Sequence, residues 1–291
     1  CPGTPALLHL ARTLLQPPPG MAVDFSSPHG APALTPAHSI SWEIFDNPVS
    51  LFIGGVAAVL LELAEPSVRT GVWDHSSFQR DPLLRLRRTG FAAMVTVYAP
   101  ADQAEQLIAR VVRMHDRVRG TTPDGQPYHA NDTRLLDWVQ ATASFGFCEA
   151  YHHYARPLSP AEKSQVFAEG QRPARLYGAT GAPSNWARWE QLLAQTAPGL
   201  EDSRILGEFL RIMENAPIVP RALRPVQRML VRAAVDMTPE PVRSFASLRG
   251  HGLGPGPRAL VGGLGRAARW MPWPGLPPAQ ARARMRPTPP G

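Results

Sequence analysis

Apolar residues recur along the chain at three- and four-residue intervals, and no segment alternates polar and apolar over the length of a strand. That pattern predicts helices. Asp46-Asn47-Pro48 sets a polar cap before a proline, and an apolar run from Val49 to Glu65 follows. The run is apolar on all sides, which predicts a central, buried helix. At ~1.5 Å per residue its stretch Val49–Ala64 reaches roughly 24 Å, short of a ~30 Å bilayer core. It also carries Glu62, so a buried helix suits it better than a membrane span.

Further caps mark further helices. Asp81-Pro82 opens one that reaches about Val97. Pro100-Ala101-Asp102 opens the next, which Gly120 is expected to end as a C-terminal cap. TTPDGQPYHAND reads as a loop with turn chemistry at Pro123-Asp124-Gly125, and Asn131 or Asp132 caps a long helix over Thr133–Tyr154. Ser159-Pro160-Ala161-Glu162 is a capping box whose helix is expected to reach about Gly178. Helical patterns follow near Asn185–Thr196, Glu201–Asn215 and Val226–Val235. The expected fold is all-α, a single helical domain of about eight or more helices over residues 36–250. Residues 1–35 are set apart as a disordered or non-native extension, with Met21 a candidate start. Residues 251–291, rich in Gly, Pro and Arg, are expected to hold short helices near Arg258–Trp270 and Pro278–Met285 and to fray at the end.

Composition narrows the partners. The 291 residues carry a net charge of +7, yet only 18% are charged and the basic residues are spread among acids. A nucleic-acid surface would cluster them with aromatics, so no nucleic-acid partner is expected. Cys1 and Cys148 cannot build a disulfide framework or a zinc site, which is compatible with a reducing compartment. The first 20 residues lack a charged n-region and a long apolar h-region, and a cytoplasmic protein is expected. Peripheral contact with a membrane is compatible with the basic balance, and the oligomeric state is not legible.

Three constellations could carry chemistry. Ile108, Val111, His115 and Val118 share one helix face, which turns His115 inward. An inward imidazole is either a core histidine with its hydrogen bonds met or a metal ligand. Arg85, Arg88 and Thr89 stand at i, i+3 and i+4 on a mostly apolar helix. They suit an anion or a polar diatomic ligand at a metal, and equally a solvated basic face. Glu149-Ala-Tyr-His152 is a single Glu-x-x-His, where a carboxylate di-iron oxidase needs two. The glycine-rich stretch from Gly252 has no strand before it and prolines inside it, unlike a phosphate loop.

The order of segments is informative where single motifs are not. Trp42, Pro48 and Gly54-Gly55 are followed by EPSVRTGVWDHSSFQRDPLLRLRRT, by MHDRVRGTTPDGQPYHANDTRLLDWV, by the aromatic-rich helix to Tyr154 and by LSPAE. This series resembles the MpaB and latex-clearing (rubber oxygenase) family of haem-dependent oxygenases over roughly residues 40–250. The resemblance implies an all-α fold with a globin-like core and haem b as cofactor. It implies that His115 is the proximal iron ligand and that Arg85, Arg88 and Thr89 lie beside the haem as catalytic residues. The activity implied is oxidation or cleavage of a carbon–carbon double bond in an isoprenoid or other lipid-like substrate by dioxygen. The partners expected are therefore a small hydrophobic substrate and dioxygen. The chain departs from the family pattern at Gln140 and Glu65, where many relatives have histidine. Glu65 and His75 are candidates for a general base. Rubber oxygenases are exported, and the lack of an export signal argues against a polymer substrate. The alternatives are a non-catalytic helical protein that binds a hydrophobe on the same fold, and a carboxylate di-iron oxidase.

Overall fold

Prolines and short polar caps set most element boundaries in the computed structural model, which describes residues 4–15, 17–18 and 20–286. In chain order the helices are α1 (Thr4–Leu15), α2 (Ile40–Ile44), α3 (Pro48–Ala64), α4 (Pro66–His75), α5 (Pro82–Tyr98) and α6 (Ala101–His115). A hairpin of β1 (Arg119–Thr121) and β2 (Pro127–His129) precedes α7 (Thr133–Tyr154), α8 (Pro160–Glu169), α9 (Gln171–Tyr177) and α10 (Trp186–Thr196). Then come α11 (Arg204–Asn215), α12 (Arg224–Met237), α13 (Pro255–Ala268) and α14 (Pro277–Arg284). The fold is all-α apart from that antiparallel hairpin, which pairs Arg119 with His129.

The caps do what their chemistry dictates. The Asn47 side chain accepts from the amides of Val49 and Ser50, both at 3.1 Å, ahead of Pro48. Asp81 accepts from Leu84 and opens α5. At α8, Ser159 and Glu162 exchange the two bonds of a capping box. Asp132, not Asn131, caps α7, through the amide of Arg134.

α3 is the axis of the core, with nearly every side chain buried and α7, α12 and α11 packed around it. α3 meets α7 at two glycines. A Cβ on Gly54 would lie 2.6 Å from the carbonyl oxygen of Gly146, so the backbones approach as closely as they do only because neither residue carries one. From the other side of α7, Trp138 and Phe145 stack on Trp189 of α10 at 5.9 and 4.8 Å. Each such ring covers roughly 150–250 Å², about 4–6 kcal/mol of burial before ordering costs.

Four features differ from the sequence reading, each for a non-local or overlooked reason. α6 ends at His115 rather than Gly120, and the supposed loop pairs as a hairpin. Gly120 is a strand residue there, paired with Tyr128, and the Tyr128 hydroxyl would sit 2.8 Å from any Cβ it carried. Residues 66–75 form α4, opened by Pro66 and by the Glu65 side chain accepting from Val68. The helix from Ser159 breaks at Gly170, where Pro173 has no N–H to return to Glu169. In residues 1–35, expected to be disordered or non-native, α1 packs on α5 and α3 with Leu10, Ala11 and Leu15 buried, while residues 1–3, 16 and 19 lie outside the described residues.

The C-terminal segment holds the two short helices expected of it, close to the expected positions. α13 lies against α7 and α3, and α14 lies against α5. Arg284 is 1% exposed and donates to the carbonyls of Phe25, Ala31 and Tyr98. Among the described residues no single helix is long and apolar enough to cross a membrane. α3 and α4 would pass on length together, but they meet at a 111° bend.

Candidate functional site

α5 and α6 run antiparallel, joined at Ala99 and Pro100. Arg85 stands about 15 residues before that turn and His115 about 15 after it, so at ~1.5 Å per residue both come to the same end of the pair. α3 lies across α5 from inside, and its last turn brings Glu62 to the same region.

α3 and α5, with residues of α1, α4, α7 and α11, line a partly open cavity of about 120 Å³. Its wall is apolar over most of its area: Phe52, Val56 and Val59 from α3, Leu86 and Met94 from α5, Phe209 and Met213 from α11, with Leu15 of α1 and Phe78. Gly55 and Gly90 leave room where side chains would fill it. The polar side chains in this wall are those of Glu62, Arg85 and Thr89.

The arginine and the acid face the cavity without forming an ion pair. Arg85 donates through Nη1 to the Thr89 hydroxyl at 2.6 Å, and that hydroxyl donates back to the Arg85 carbonyl at 3.0 Å. Arg85 Nε is sealed from solvent with no acceptor, and among the described residues no carboxylate lies within bridging distance of this guanidinium. Burial lowers the Arg85 pKa, the Glu62 carboxylate opposes the shift, and Arg88 adds to it. Burial pushes Glu62 up from the ordinary carboxyl value of 4.5 to about 7, against the charge of Arg85 and the Thr142 hydroxyl. The site therefore holds a carboxyl group that exchanges its proton near neutrality, near a half-buried cation with donor capacity to spare.

His115, the last residue of α6, is half-buried. Its Nδ1 is sealed from solvent and has no hydrogen-bond partner. Burial lowers its pKa first and the charge of Arg85 next, while the Asn131 amide and Asp116 push the other way. The net shift is downward, so the imidazole is neutral at pH 7, the form that binds a metal. His115 is not itself part of the cavity wall, and Arg85 links the two.

The other sequence candidates fall elsewhere. Arg88 and Thr89 are both exposed and Arg85 is half-buried; Arg85 and Thr89 line the cavity and Arg88 lies outside its wall. Glu65 is spent on structure: one oxygen caps α4 and the other takes Arg134 at 3.0 Å. His75 Nε2 bonds the Tyr128 hydroxyl at 3.1 Å. The Gln140 amide lies against Gly170 at the α8–α9 junction. Glu149 pairs with Lys163 and His153, and His152 Nδ1 accepts from the Leu158 amide. Among the described residues no three His, Cys, Asp or Glu side chains converge to hold a metal, so a ligand set drawn from the protein alone is not formed. Sequence reasoning passed over Glu62 as a site residue, although a lone acid in an apolar run was the signal.

The sequence model of the family described as "ER-bound oxygenase mpaB/B'/Rubber oxygenase, catalytic domain" matches residues 42–271. Comparison with curated proteins and with solved structures found no match. The matched stretch takes in α3, α5, α6 and α7, and with them Glu62, Arg85, Thr89 and His115. On a match over most of its length, the chain belongs to the mpaB/rubber oxygenase catalytic-domain family, a family of oxygenases.

Proposed function

We propose that this oxygenase is haem b-dependent and uses dioxygen to oxidise or cleave a carbon–carbon double bond in an isoprenoid or other lipid-like substrate. The observation that carries the reading is the pairing of an apolar cavity with a half-buried Arg85 that has no carboxylate partner among the described residues and, at the same end of the α5–α6 pair, a neutral histidine whose Nδ1 is sealed. The donor set fits haem, because a porphyrin supplies four of the iron's ligands and asks one histidine of the protein. The volume is smaller than the ~300–1,000 Å³ typical of pockets that enclose a drug-sized ligand. Seating the macrocycle therefore calls for side chains of the wall to move.

When bound, the haem iron would supply the activation of dioxygen. The protein's own residues supply the rest. His115 would hold the iron. Arg85 places N–H donors beside the cavity, held by the Thr89 hydroxyl that accepts from Nη1, and negative charge building on oxygen there is stabilised. The apolar wall excludes water and accepts a hydrocarbon chain. Glu62, poised near pH 7, holds or releases a proton at its carboxyl oxygen. Cleavage balances without a further reductant: the double bond breaks, and each former alkene carbon takes one atom of dioxygen to give two carbonyl products.

The test is dioxygen uptake by the haem-loaded protein with an isoprenoid alkene, with the carbonyl products identified by mass. Uptake matched by carbonyl formation is expected. Arg85→Met should lower kcat by about 10²-fold, the cost of losing one preorganised donor. No uptake across a panel of isoprenoid alkenes by protein shown to hold haem would overturn the proposed activity. A second reading, a hydrophobe-binding protein without redox chemistry, is favoured by the small cavity volume. It predicts saturable binding of an apolar chain with no haem taken up at His115.

A further inference from the structure

Two polar atoms near the end of α6 are sealed from solvent and have no hydrogen-bond partner among the described residues. One is His115 Nδ1 and the other is Asn131 Oδ1. Asn131 stands between the hairpin and α7, and its side chain reaches back to α6. Its Nδ2 donates to the Val112 carbonyl at 3.0 Å and to Asp116 Oδ1 at 2.6 Å. Both of those partners are acceptors, so the amide cannot be turned over without setting oxygen against oxygen. The acceptor end of Asn131 is thereby fixed, and the amide lies close enough to act on the His115 ring.

A buried carbonyl-type oxygen and a buried imidazole nitrogen satisfy each other only when that nitrogen carries the proton. We propose that Asn131 is the positioning residue for His115: its amide oxygen accepts from Nδ1–H, holds the neutral ring in that tautomer, and leaves Nε2 bare as the iron-binding atom. Among the described residues Nε2 bonds nothing, and it is not sealed off as Nδ1 is. Asn131 is itself anchored twice to the last turn of α6, so it fixes the plane of the ring as well as its proton. The choice of Nε2 rests on His115 being the iron ligand, but the tautomer does not, since it is a property of the haem-free chain.

The experiment uses the full chain labelled with ¹⁵N-histidine and the His115 signals assigned by comparison with His115→Gln. Long-range ¹H–¹⁵N correlation at pH 7.5 on the haem-free protein reads the tautomer. The parent is expected to show a protonated Nδ1 and a bare, pyridine-like Nε2. Asn131→Leu, with folding checked by circular dichroism, should move the proton largely to Nε2 and weaken haem binding by about 10–100-fold. Asp116→Asn, which leaves an acceptor for Nδ2 and does not touch Oδ1, should keep the parent tautomer. A parent His115 protonated on Nε2, or an Nδ1–H tautomer that survives in Asn131→Leu, would overturn the proposal. Should the tautomer behave as stated while no haem binds, the role of His115 as ligand fails and the hold of Asn131 on the ring stands.

Discussion

Glu62 shows what a single buried acid costs. Its folded pKa, near 7, lies above the unfolded value of about 4.5. The protonated form is thus favoured on folding. Its contribution to stability is fully present below pH 4.5 and is lost as pH rises through 7. The shift corresponds to roughly 3 kcal/mol at most. Glu62→Gln has no such titration. Denaturant midpoints of the two proteins should coincide near pH 4.5 and diverge towards pH 8, with Glu62→Gln the more stable. Parallel curves across that range would contradict the burial of this carboxyl. The residue was visible in the sequence as the one acid of an apolar run, but its role was not. What raises its pKa is the wall that α3, α5 and α11 build around it, and no local pattern encodes that wall.

At the scale of elements, caps were legible and contacts were not. Asn47-Pro48, Asp81-Pro82 and Ser159-Pro160 act on amides two or three residues away, so the sequence displays both partners at once. The starts of α3, α5 and α8 were readable for that reason. Gly120 was misread because the feature that demands a glycine is the Tyr128 ring across a hairpin. The α3–α7 crossing was equally hidden, since Gly54 and Gly146 are far apart in sequence. It makes a sharp prediction. Gly54→Ala sets a Cβ against the Gly146 carbonyl and should cost about 1–3 kcal/mol or more, read from thermal or denaturant unfolding. Gly55→Ala, where the nearest atom is a Phe147 carbon at 3.8 Å, should be neutral or stabilising by up to about 1 kcal/mol. Equal losses at both positions would refute the close crossing.

Across the whole molecule, the ends close on the centre. One hydrophobic cluster runs from Leu10 in α1 to Ala281 in α14, and Arg284 ties three separate stretches of backbone. Arg284→Met leaves those carbonyls without their donor and should destabilise the fold by about 3 kcal/mol or more. Arg282→Met breaks a half-exposed bridge to Asp46 and should stay within about 1 kcal/mol, as melting curves would show. Leu15 of α1 completes the cavity wall, so a segment the sequence set aside helps to shape the site. The sequence was most informative about the site at His115 and Arg85. Spacing turned His115 inward and segment order named the family, whereas spacing left the direction of the Arg85, Arg88 and Thr89 face open; the fold sets Arg85 in the cavity wall and Arg88 outside it.

The central claim is that this fold holds haem on His115. The visible spectrum of the full chain after haem reconstitution and gel filtration tests it most directly. The account predicts a Soret band with one haem per chain, and loss or marked displacement of that band in His115→Ala protein that remains folded. A parent chain that emerges colourless, or a His115→Ala chain with the same band and stoichiometry as the parent, would contradict it.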